Sequence, residues 1–246
     1  MAITLPTIKS GKSKQWNDQK FLMIGSSGIG KSGFWSHAEN PLYIEAEAGL
    51  NFIDAFKMPV RTWDEVVETM KALIIGARDG NFPYDVVIVD TIDRVLACIE
   101  SDVMNWAKSK YSKGSEYSGI GDIPEGAGWY RREASVNKFL KSLEVLPCAK
   151  AVIGHLDTKE IKLDGGQKYH KATINIGGKV GNNILAWSDH TLHVNGIMQG
   201  DTLKRTVYTK PTKSREAKSR GGIIKDGWTW EEDDAVNFKK LREQFD

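Results

Sequence analysis

The sequence has few of the features that mark secreted, membrane-spanning or metal-binding proteins. Its 246 residues include two cysteines, Cys98 and Cys148, whose spacing fits neither a disulfide framework nor a zinc site. No apolar stretch approaches the ~18 residues that a membrane span needs, and no apolar signal region follows the N-terminus. The sequence therefore predicts a soluble, cytoplasmic protein with reduced thiols and no membrane partner.

A strong excess of charge of one sign is also absent. The net charge is +2, which is too small to indicate a nucleic-acid partner by itself. Basic residues are concentrated between positions 204 and 220, and acidic residues follow between positions 226 and 234. For either run, the alternative is an ordinary solvent-exposed face of a hairpin or a helix. Net charge therefore does not identify a partner.

The chain alternates between strand patterns and helix patterns. Short apolar runs at residues 21–24 and 86–89 are typical of buried parallel strands, and residues 130–145 read as a helix. Residues 190–198 and 202–209 read as the two strands of a hairpin. We therefore predict an α/β fold with a mostly parallel sheet flanked by helices and an antiparallel hairpin at one edge.

Composition does not divide the chain into two folding units. Residues 1–18 are polar and irregular and are expected to form a flexible N-terminal arm. Residues 19–246 are expected to form a single domain with a C-terminal hairpin and an acidic tail. Two irregular segments interrupt the alternating pattern, at 110–128 and 157–178, and the first is too long for an ordinary connection.

A glycine-rich loop directly after the strand at 21–24 is the most specific motif. It matches the pattern Gly-x4-Gly-Lys-Ser, in which backbone N–H groups converge on phosphate oxygens at a helix N-terminus. Lys31 would reach the β- and γ-phosphates, and the Ser32 hydroxyl would bind magnesium. The context between a strand and a helix disfavours a coincidental glycine-rich turn. The sequence thus predicts a site for ATP and Mg2+ formed by Gly25, Ser26, Ser27, Gly28, Ile29, Gly30, Lys31 and Ser32.

Acidic residues at two strand ends complete this predicted site. Asp90 closes the strand at 86–89 and is the candidate second magnesium ligand, with helix capping as the alternative. Many ATPases place a catalytic glutamate directly after this aspartate, but Thr91 stands there. The base is therefore expected from the end of the second strand, where Glu45 and Glu47 lie on one side. We select Glu47, with a solvated loop acid as the alternative.

These segments resemble those of a known group of proteins. The run Tyr-Ile-Glu-Ala-Glu-Ala-Gly-Leu at 43–50 resembles the strand end that carries the catalytic glutamate of RecA-type recombinases. Together with Val-Val-Ile-Val-Asp-Thr-Ile-Asp at 86–93, Gly-His at 154–155 and Ala-Lys-Ser-Arg at 217–220, it is similar to the phage-encoded RecA-like ATPases of the Sak-type single-strand annealing group. The resemblance covers about residues 20–222. It implies a RecA-like P-loop NTPase fold, ATP held between the subunits of a ring or filament, and single-stranded DNA along the axis.

The resemblance also implies roles for individual residues. His155 takes the place of a polar residue that senses the γ-phosphate, with a satisfied structural histidine as the alternative. Lys218 and Arg220 match basic residues that reach the γ-phosphate of the neighbouring subunit, with Arg215 as a weaker substitute. The implied function is recombination by strand annealing or pairing in the host cytoplasm. A single-strand-binding protein remains open as a further partner.

The two irregular segments take the places of the DNA-binding loops of RecA-like proteins. Their composition suits that role independently, because lysines neutralise backbone phosphates and tyrosines offer stacking faces. The alternative is two mobile, solvent-exposed loops. The candidate DNA-binding residues are Lys110, Tyr111, Lys113, Tyr117, Lys159, Lys162, Lys168 and Lys171.

Two other functions remain open from the sequence. A small-molecule or nucleotide kinase would use the same phosphate loop, and it would need an acceptor pocket and a lid that Arg131 and Arg132 could imitate. A non-hydrolysing loader would bind ATP only to switch a protein interface. Hydrolysis of ATP in the absence of an added acceptor would favour an ATPase over both the kinase and the loader.

Overall fold

One large sheet organises the part of the chain that the computed structural model describes, namely residues 5, 7, 13–162 and 166–245. Its strands in that part of the chain are β1 (Lys20–Gly25), β2 (Pro41–Glu45), β3 (Phe56–Pro59), β4 (Val86–Asp90), β5 (Ala149–Lys162), β6 (Lys168–Ile174), β7 (His190–Gln199), β8 (Thr202–Tyr208), β9 (Lys218–Ser219) and β10 (Trp228–Trp230).

The order of the strands explains how the site is assembled. Across the sheet they run β10-β8-β7-β1-β5-β4-β2-β3. The strands from β7 to β3 along this path are parallel, whereas β8 and β10 are antiparallel to their neighbours. The predicted mostly parallel sheet with an antiparallel hairpin, β7–β8, towards one edge is therefore confirmed. Because parallel strands end at the same edge, the loops after β1, β2 and β4 meet there.

Helices cover both faces of this sheet. Side chains along β1 alternate, so that Leu22 and Ile24 enter one core while Phe21 and Met23 enter the other. The helices of the described residues are α1 (Lys31–Trp35), α2 (Trp63–Arg78), α3 (Ile92–Lys110), α4 (Ala127–Glu144), α5 (Gly178–Trp187) and α6 (Asp234–Arg242). The first core is closed by α2 to α5 and the second by α1 and α6. None of these helices is long and apolar enough to cross a membrane.

The end of the predicted N-terminal arm packs against the domain. Most residues of that arm, 1–18, lie outside the described residues, but Trp16–Asp18 form a 3-10 turn. The indole of Trp16 is buried, with its ring centroid 5.2 Å from that of Phe21 and 5.8 Å from that of Phe245 near the C-terminus. The turn therefore packs, together with Phe245, against the core that α1 and α6 close.

The first irregular segment, 110–128, is folded tightly rather than extended into solvent. Three short 3-10 turns follow one another between Gly114 and Gly126. Ile120 and Ile123 are buried against the helices of the first core. Between α3 and α4 the segment thus contains no strand and no α-helix, as its lack of periodicity predicts, and its apolar residues anchor it to the domain.

The second irregular segment, 157–178, is largely a β-hairpin, so its expected irregular structure was wrong. β5 continues beyond the residues that pair with β1 and β4, and there it pairs with β6, with Ile161 opposite Tyr169. The strands were missed because charged residues and glycines have low strand propensity. Cross-strand pairs compensate, among them the Glu160–Lys168 ion pair at 3.1 Å.

Replacing Trp16 with alanine should destabilise the protein by about 3 kcal/mol, because a buried indole leaves a cavity among aromatic rings. The measurement is the free energy of unfolding in urea. Phe52→Ala is the control, since Phe52 is fully exposed and its loss should change that free energy by less than about 0.5 kcal/mol. Equal stability of the two variants would contradict the role of Trp16.

Candidate active site

The phosphate loop connects the end of β1 to the start of α1. Gly28 has a φ of 72° and Gly30 a φ of 104°, values in the left-handed region that strains residues with a side chain. The helix begins at Lys31, immediately after Gly30. The loop thus has the backbone form that the glycine pattern predicts, with amide groups at the helix start available for phosphate oxygens.

Lys31 is folded back along this loop. Its side chain is buried, and Nζ donates to the carbonyl oxygens of Gly25, at 2.9 Å, and Ser26, at 2.8 Å. Burial lowers the pKa of Lys31, while the nearby carboxylate of Asp90 opposes that shift. A buried ammonium group held by two carbonyls is poised to exchange those partners for phosphate oxygens.

Ser32 and Asp90 bring the loop and the end of β4 into contact. The hydroxyl of Ser32 donates to Oδ2 of Asp90 at 2.5 Å. Burial raises the pKa of Asp90, and the hydrogen bond from Ser32 acts in the opposite direction. The hydroxyl of Tyr43 on β2 donates to the backbone oxygen of Ser32 at 2.6 Å and fixes the start of α1. An adjacent hydroxyl and carboxylate fit magnesium, which prefers oxygen ligands.

Glu47 lies next to this pair because its backbone is tied to β4. The amides of Ala46 and Glu47 both donate to the carbonyl oxygen of Asp90, at 2.8 and 3.1 Å. The hydroxyl of Thr91 donates to Oε2 of Glu47 at 3.3 Å, and Nη2 of Arg94 lies 3.7 Å from Oε1. Thr91, at the position where many ATPases carry the glutamate, thus orients a carboxylate that lies two residues beyond the end of β2.

His155 closes the side of the site formed by β5. It lies opposite Gly25 in the register of β1 and β5. Its backbone amide donates to Oδ2 of Asp93 at 3.1 Å, and Nδ1 lies 3.5 Å from the same oxygen. Its carbonyl oxygen accepts the amide of Asn175 at 2.8 Å. His155 therefore joins the site to the segment that follows β6.

These elements surround one cavity of about 310 Å³, within the usual size range of ligand pockets. Lys31, Ser32, Glu47, Asp90 and His155, all candidates from the sequence, line it together. A further wall is formed by Ala48, Gly49, Leu50 and Ile53, to which the sequence analysis assigned no role, and Thr91 also lines the cavity. The closeness of residues 48–53 to Glu47 in the sequence was the signal that could have identified this wall.

Lys218, Arg220 and Arg215, which are predicted to act on a neighbouring subunit, do not line the nucleotide cavity of their own chain. β9 pairs with the first residues of β7, whereas the phosphate loop follows the last residue of β1 at the opposite edge. Nζ of Lys218 donates to the carbonyl of Leu185, and the guanidinium of Arg220 donates to Asp189 at 2.9 Å. Arg215 lies over the ring of Tyr208, 3.5 Å from its centroid. Action in trans stays a prediction.

The candidate DNA-binding residues of the first segment divide into two kinds. Tyr111 packs edge-on against Trp106 and Tyr117, at centroid distances of 5.8 and 6.2 Å. Both tyrosines contact the first core, so their rings contribute to folding as well as to any stacking. Lys110 and Lys113 are exposed and are available to phosphates.

The candidate lysines of the β5–β6 hairpin are mostly engaged within the chain. Nζ of Lys159 donates to two backbone carbonyls at and just after the end of β6, at 3.2 and 3.0 Å. Lys168 and Lys171 form ion pairs with carboxylates at 3.1 and 2.6 Å. Lys162 is exposed. DNA binding by this hairpin stays a prediction.

The lid that a kinase would need is not formed by Arg131 and Arg132. Both lie on α4 and face α3. The guanidinium of Arg131 lies 4.7 Å from the centroid of Trp106, and Nε of Arg132 lies 2.8 Å from Oε1 of Glu100. These contacts hold the two guanidinium groups beside α3, and neither arginine lines the nucleotide cavity.

Comparison with known families agrees with this geometry. The family model described as an AAA domain (AAA_24) matches residues 17–221, which is most of the chain. The chain belongs to the AAA_24 family. As an AAA_24 domain it is a P-loop NTPase, and the predicted RecA-like P-loop fold class, a mostly parallel sheet with helices on both faces, is confirmed.

Two further similarities are more limited. The SPbeta prophage-derived uncharacterized protein YorG of Bacillus subtilis (strain 168) is 32% identical over 72 residues, which are 29% of this chain and 22% of that protein. The chain thus matches less than a quarter of that relative's length. The KaiC-like protein PH0186 of Pyrococcus horikoshii OT3 is 9% identical, with a TM-score of 0.47 over 89% of this chain and 88% of that chain. This second likeness is too distant to inform function.

Lys31→Ala should weaken binding of Mg-ATP by roughly tenfold to a hundredfold, because a charged hydrogen-bond donor is lost. The melting temperature should stay the same or rise, since a buried ammonium group is removed. Calorimetric titration and thermal unfolding measure the two effects. Lys71→Ala, an exposed lysine of α2, is the control, and equal affinity of the two variants would refute the assignment.

Proposed function

We propose that this protein is an ATP-hydrolysing recombination protein of phage type that binds single-stranded DNA and anneals or pairs strands. It works as a ring or filament of identical copies, with ATP between subunits. The observation that carries the proposal is the contact among Ser32, Asp90 and Glu47 at the edge of one cavity, since it combines binding and hydrolysis functions in one place. The prophage origin of the YorG relative supports a phage setting.

Each side chain of the site has a distinct task in hydrolysis. The loop amides and Lys31 hold the phosphates, and Ser32 and Asp90 would hold magnesium. Bound magnesium supplies positive charge that offsets the negative charge of the phosphate oxygens. Glu47 orients the attacking water and accepts its proton. Thr91 restrains one oxygen of the Glu47 carboxylate, so that the group keeps its direction into the cavity.

Glu47→Gln should lower ATP turnover by about a hundredfold or more, because an amide cannot accept the proton. Affinity for Mg-ATP should be retained, since the variant keeps size and shape. Steady-state phosphate release and calorimetric titration measure the two quantities. Glu45→Gln, a carboxylate two residues earlier at the end of β2, is the matched control.

Three results would change this assignment. Full turnover by Glu47→Gln would remove Glu47 as the base. Loss of turnover in Glu45→Gln alone would transfer that role to Glu45. Absence of turnover in the unmodified protein, with ATP bound, would favour the non-hydrolysing loader.

The DNA-binding part of the proposal is supported by a second cavity. The two segments that resemble DNA-binding loops lead into α4 and α5, and the first two turns of α4 and the start of α5 enclose a space of about 470 Å³. The two segments therefore end at one place on the surface. The cavity is lined by Trp129, Arg132, Glu133, Gly177, Gly178, Lys179 and Val180.

The side chains of this second cavity suit single-stranded DNA. The indole of Trp129 is 52% exposed and offers a stacking face, while the guanidinium of Arg132 lies 5.5 Å from its centroid. Lys179 is exposed at the rim, where its Nζ lies 4.0 Å from Oε2 of Glu133, and Gly177 and Gly178 leave the backbone open to a close approach. Stacking combined with positive charge is the combination that binds single strands without reading sequence.

A short path joins the two cavities and supports coupling of DNA binding to ATP. His155 lines the nucleotide cavity, and its carbonyl oxygen accepts the amide of Asn175 at 2.8 Å. Gly177, at the second cavity, follows two residues later. A displacement of His155 by nucleotide would therefore be transmitted along this backbone to the DNA-binding surface.

Trp129→Ala should weaken binding of an oligothymidylate by about tenfold, because one base loses its stacking partner. Tyr130→Ala is the matched control, since Tyr130 is adjacent and more exposed but does not line the cavity. Fluorescence anisotropy measures the affinity over a salt series. Lys179→Ala should reduce the slope of log affinity against log salt by about one.

Two outcomes would count against the DNA-binding proposal. Equal affinities of Trp129→Ala and Tyr130→Ala would remove the second cavity from the DNA-binding surface. Absence of salt-sensitive binding in the unmodified protein would remove single-stranded DNA as a partner, although the ATPase assignment would stand.

The assembly completes the proposal. A second copy would supply Lys218 and Arg220 to the γ-phosphate. Because both side chains bond within their own chain, to Leu185 and Asp189, they would exchange those partners on assembly. A single-strand-binding protein is the further partner that this function would bring into contact with the complex.

A further inference from the structure

Arg205 on β8 extends from the antiparallel edge of the sheet to the phosphate loop. Its Nη1 donates to the carbonyl oxygen of Ile29 at 3.2 Å. The side chain is 20% exposed, so most of it is enclosed by protein. Neither the glycine pattern nor the hydrolysis roles above account for a guanidinium at this position.

This contact determines which way one peptide unit faces. In a trans peptide, the carbonyl oxygen of Ile29 and the N–H of Gly30 point in opposite directions. Because the oxygen faces Arg205, the N–H of Gly30 faces away from it, and Gly30 lines the nucleotide cavity. A glycine at a φ of 104° leaves this peptide easy to rotate unless an outside partner restrains it.

A side chain at position 30 would meet the guanidinium where it now lies. A Cβ atom at this position would be 2.6 Å from Nη1 of Arg205, so the end of the arginine side chain would have to move. The present place of the guanidinium against the loop therefore depends on a glycine at position 30, in addition to the backbone conformation that glycine permits.

The guanidinium itself is held by the C-terminal part of the chain. It lies 4.9 Å from the centroid of Trp230, and Nη1 lies 3.9 Å from Oδ1 of Asp234. Nε1 of Trp230 donates to the same oxygen of Asp234 at 2.6 Å. Trp230 also packs against Phe34 of α1, with ring centroids 5.3 Å apart. Trp230 and Asp234 thus hold Arg205 in place. Trp230 also contacts α1, the helix that follows the phosphate loop.

Trp230 and Asp234 lie beyond residue 221, where the family match ends. α6 nevertheless packs on α1, with Phe238 close to Phe34 and Trp35 at centroid distances of 5.7 and 6.1 Å. The C-terminal segment therefore belongs physically to the nucleotide site, although it is outside the matched domain.

We propose that Arg205 is a positioning residue of the nucleotide site. It holds the Ile29–Gly30 peptide in the orientation that directs the Gly30 amide to a phosphate, and Trp230 and Asp234 hold Arg205 in place. The proposal rests on the ATP site proposed above, and it assigns the C-terminal segment a role in nucleotide affinity.

Amide hydrogen exchange without nucleotide tests the restraint itself. Arg205→Ala should raise the exchange rate of the peptide that contains Gly25–Ser32 by about tenfold, because a restraint on the loop is lost. Lys204→Ala is the matched control, since it removes one positive charge from an exposed neighbour on β8 and should leave that rate unchanged. Arg205→Lys should lie between the two, because an ammonium can donate one hydrogen bond to the carbonyl.

Calorimetric titration with Mg-ATP tests the consequence for binding. Arg205→Ala should weaken the affinity by about tenfold relative to Lys204→Ala, and Arg205→Lys should recover part of the loss. Asp234→Asn should weaken it by about threefold, because Arg205 keeps its stacking on Trp230 but loses a charged neighbour. Melting temperatures measured in parallel separate loop positioning from a general loss of stability.

The two measurements distinguish failure of this proposal from failure of the ATP site. Loop exchange in Arg205→Ala equal to that in Lys204→Ala would overturn the positioning role. A loss of Mg-ATP affinity that is proportional to the decrease in melting temperature across all variants would also overturn it. If the unmodified protein binds no Mg-ATP, the proposed function fails, and the exchange result still decides whether Arg205 restrains the loop. If Arg205→Ala does not fold, Arg205→Lys and Asp234→Asn provide the same comparison.

Discussion

The hydrogen bond between Ser32 and Asp90 is the contact on which the rest of the site depends. It joins residues 58 positions apart, and it can form only because β5 alone separates β1 from β4 and all three strands are parallel. A buried carboxylate is costly without a partner, so Asp90 requires either this hydroxyl or a cation beside it. The same constraint brings Glu47 into place, because its amide bonds to the carbonyl of Asp90. One strand end thus supports the candidate metal ligand and the candidate base.

The parts of the structure that the sequence predicted well are those encoded over a few residues. Glycines at fixed spacing before Lys31 predict a phosphate loop, since backbone amides need no distant partner to bind an anion. Asp90 and Glu47 could be placed because parallel strands end at a common edge. The β7–β8 hairpin was found from two strand patterns flanking Gly200. In each case, a local pattern and a general rule of sheet geometry were sufficient.

The features that sequence reasoning missed depend on contacts between distant segments. The β5–β6 hairpin is polar, and its stability comes from cross-strand pairs that no single strand displays. The cavity beside Trp129 exists only because α4 and α5 begin close together. Arg205 is separated from Ile29 by 176 positions, and a basic residue on a strand gives no sign of its target. Long-range packing, rather than propensity, determines these three features.

The nucleotide site is restrained unequally on its two sides. Towards β8, the loop meets Arg205 and a buried aromatic group that includes Phe34 and Trp230. Towards β5, the imidazole of His155 is partly exposed, while its carbonyl oxygen accepts the amide of Asn175, which lies between the buried Ile174 and Ile176. Dense packing resists displacement. The imidazole of His155 is therefore less restrained than the loop beside Arg205, whereas the backbone that follows β6 is anchored on both sides of Asn175.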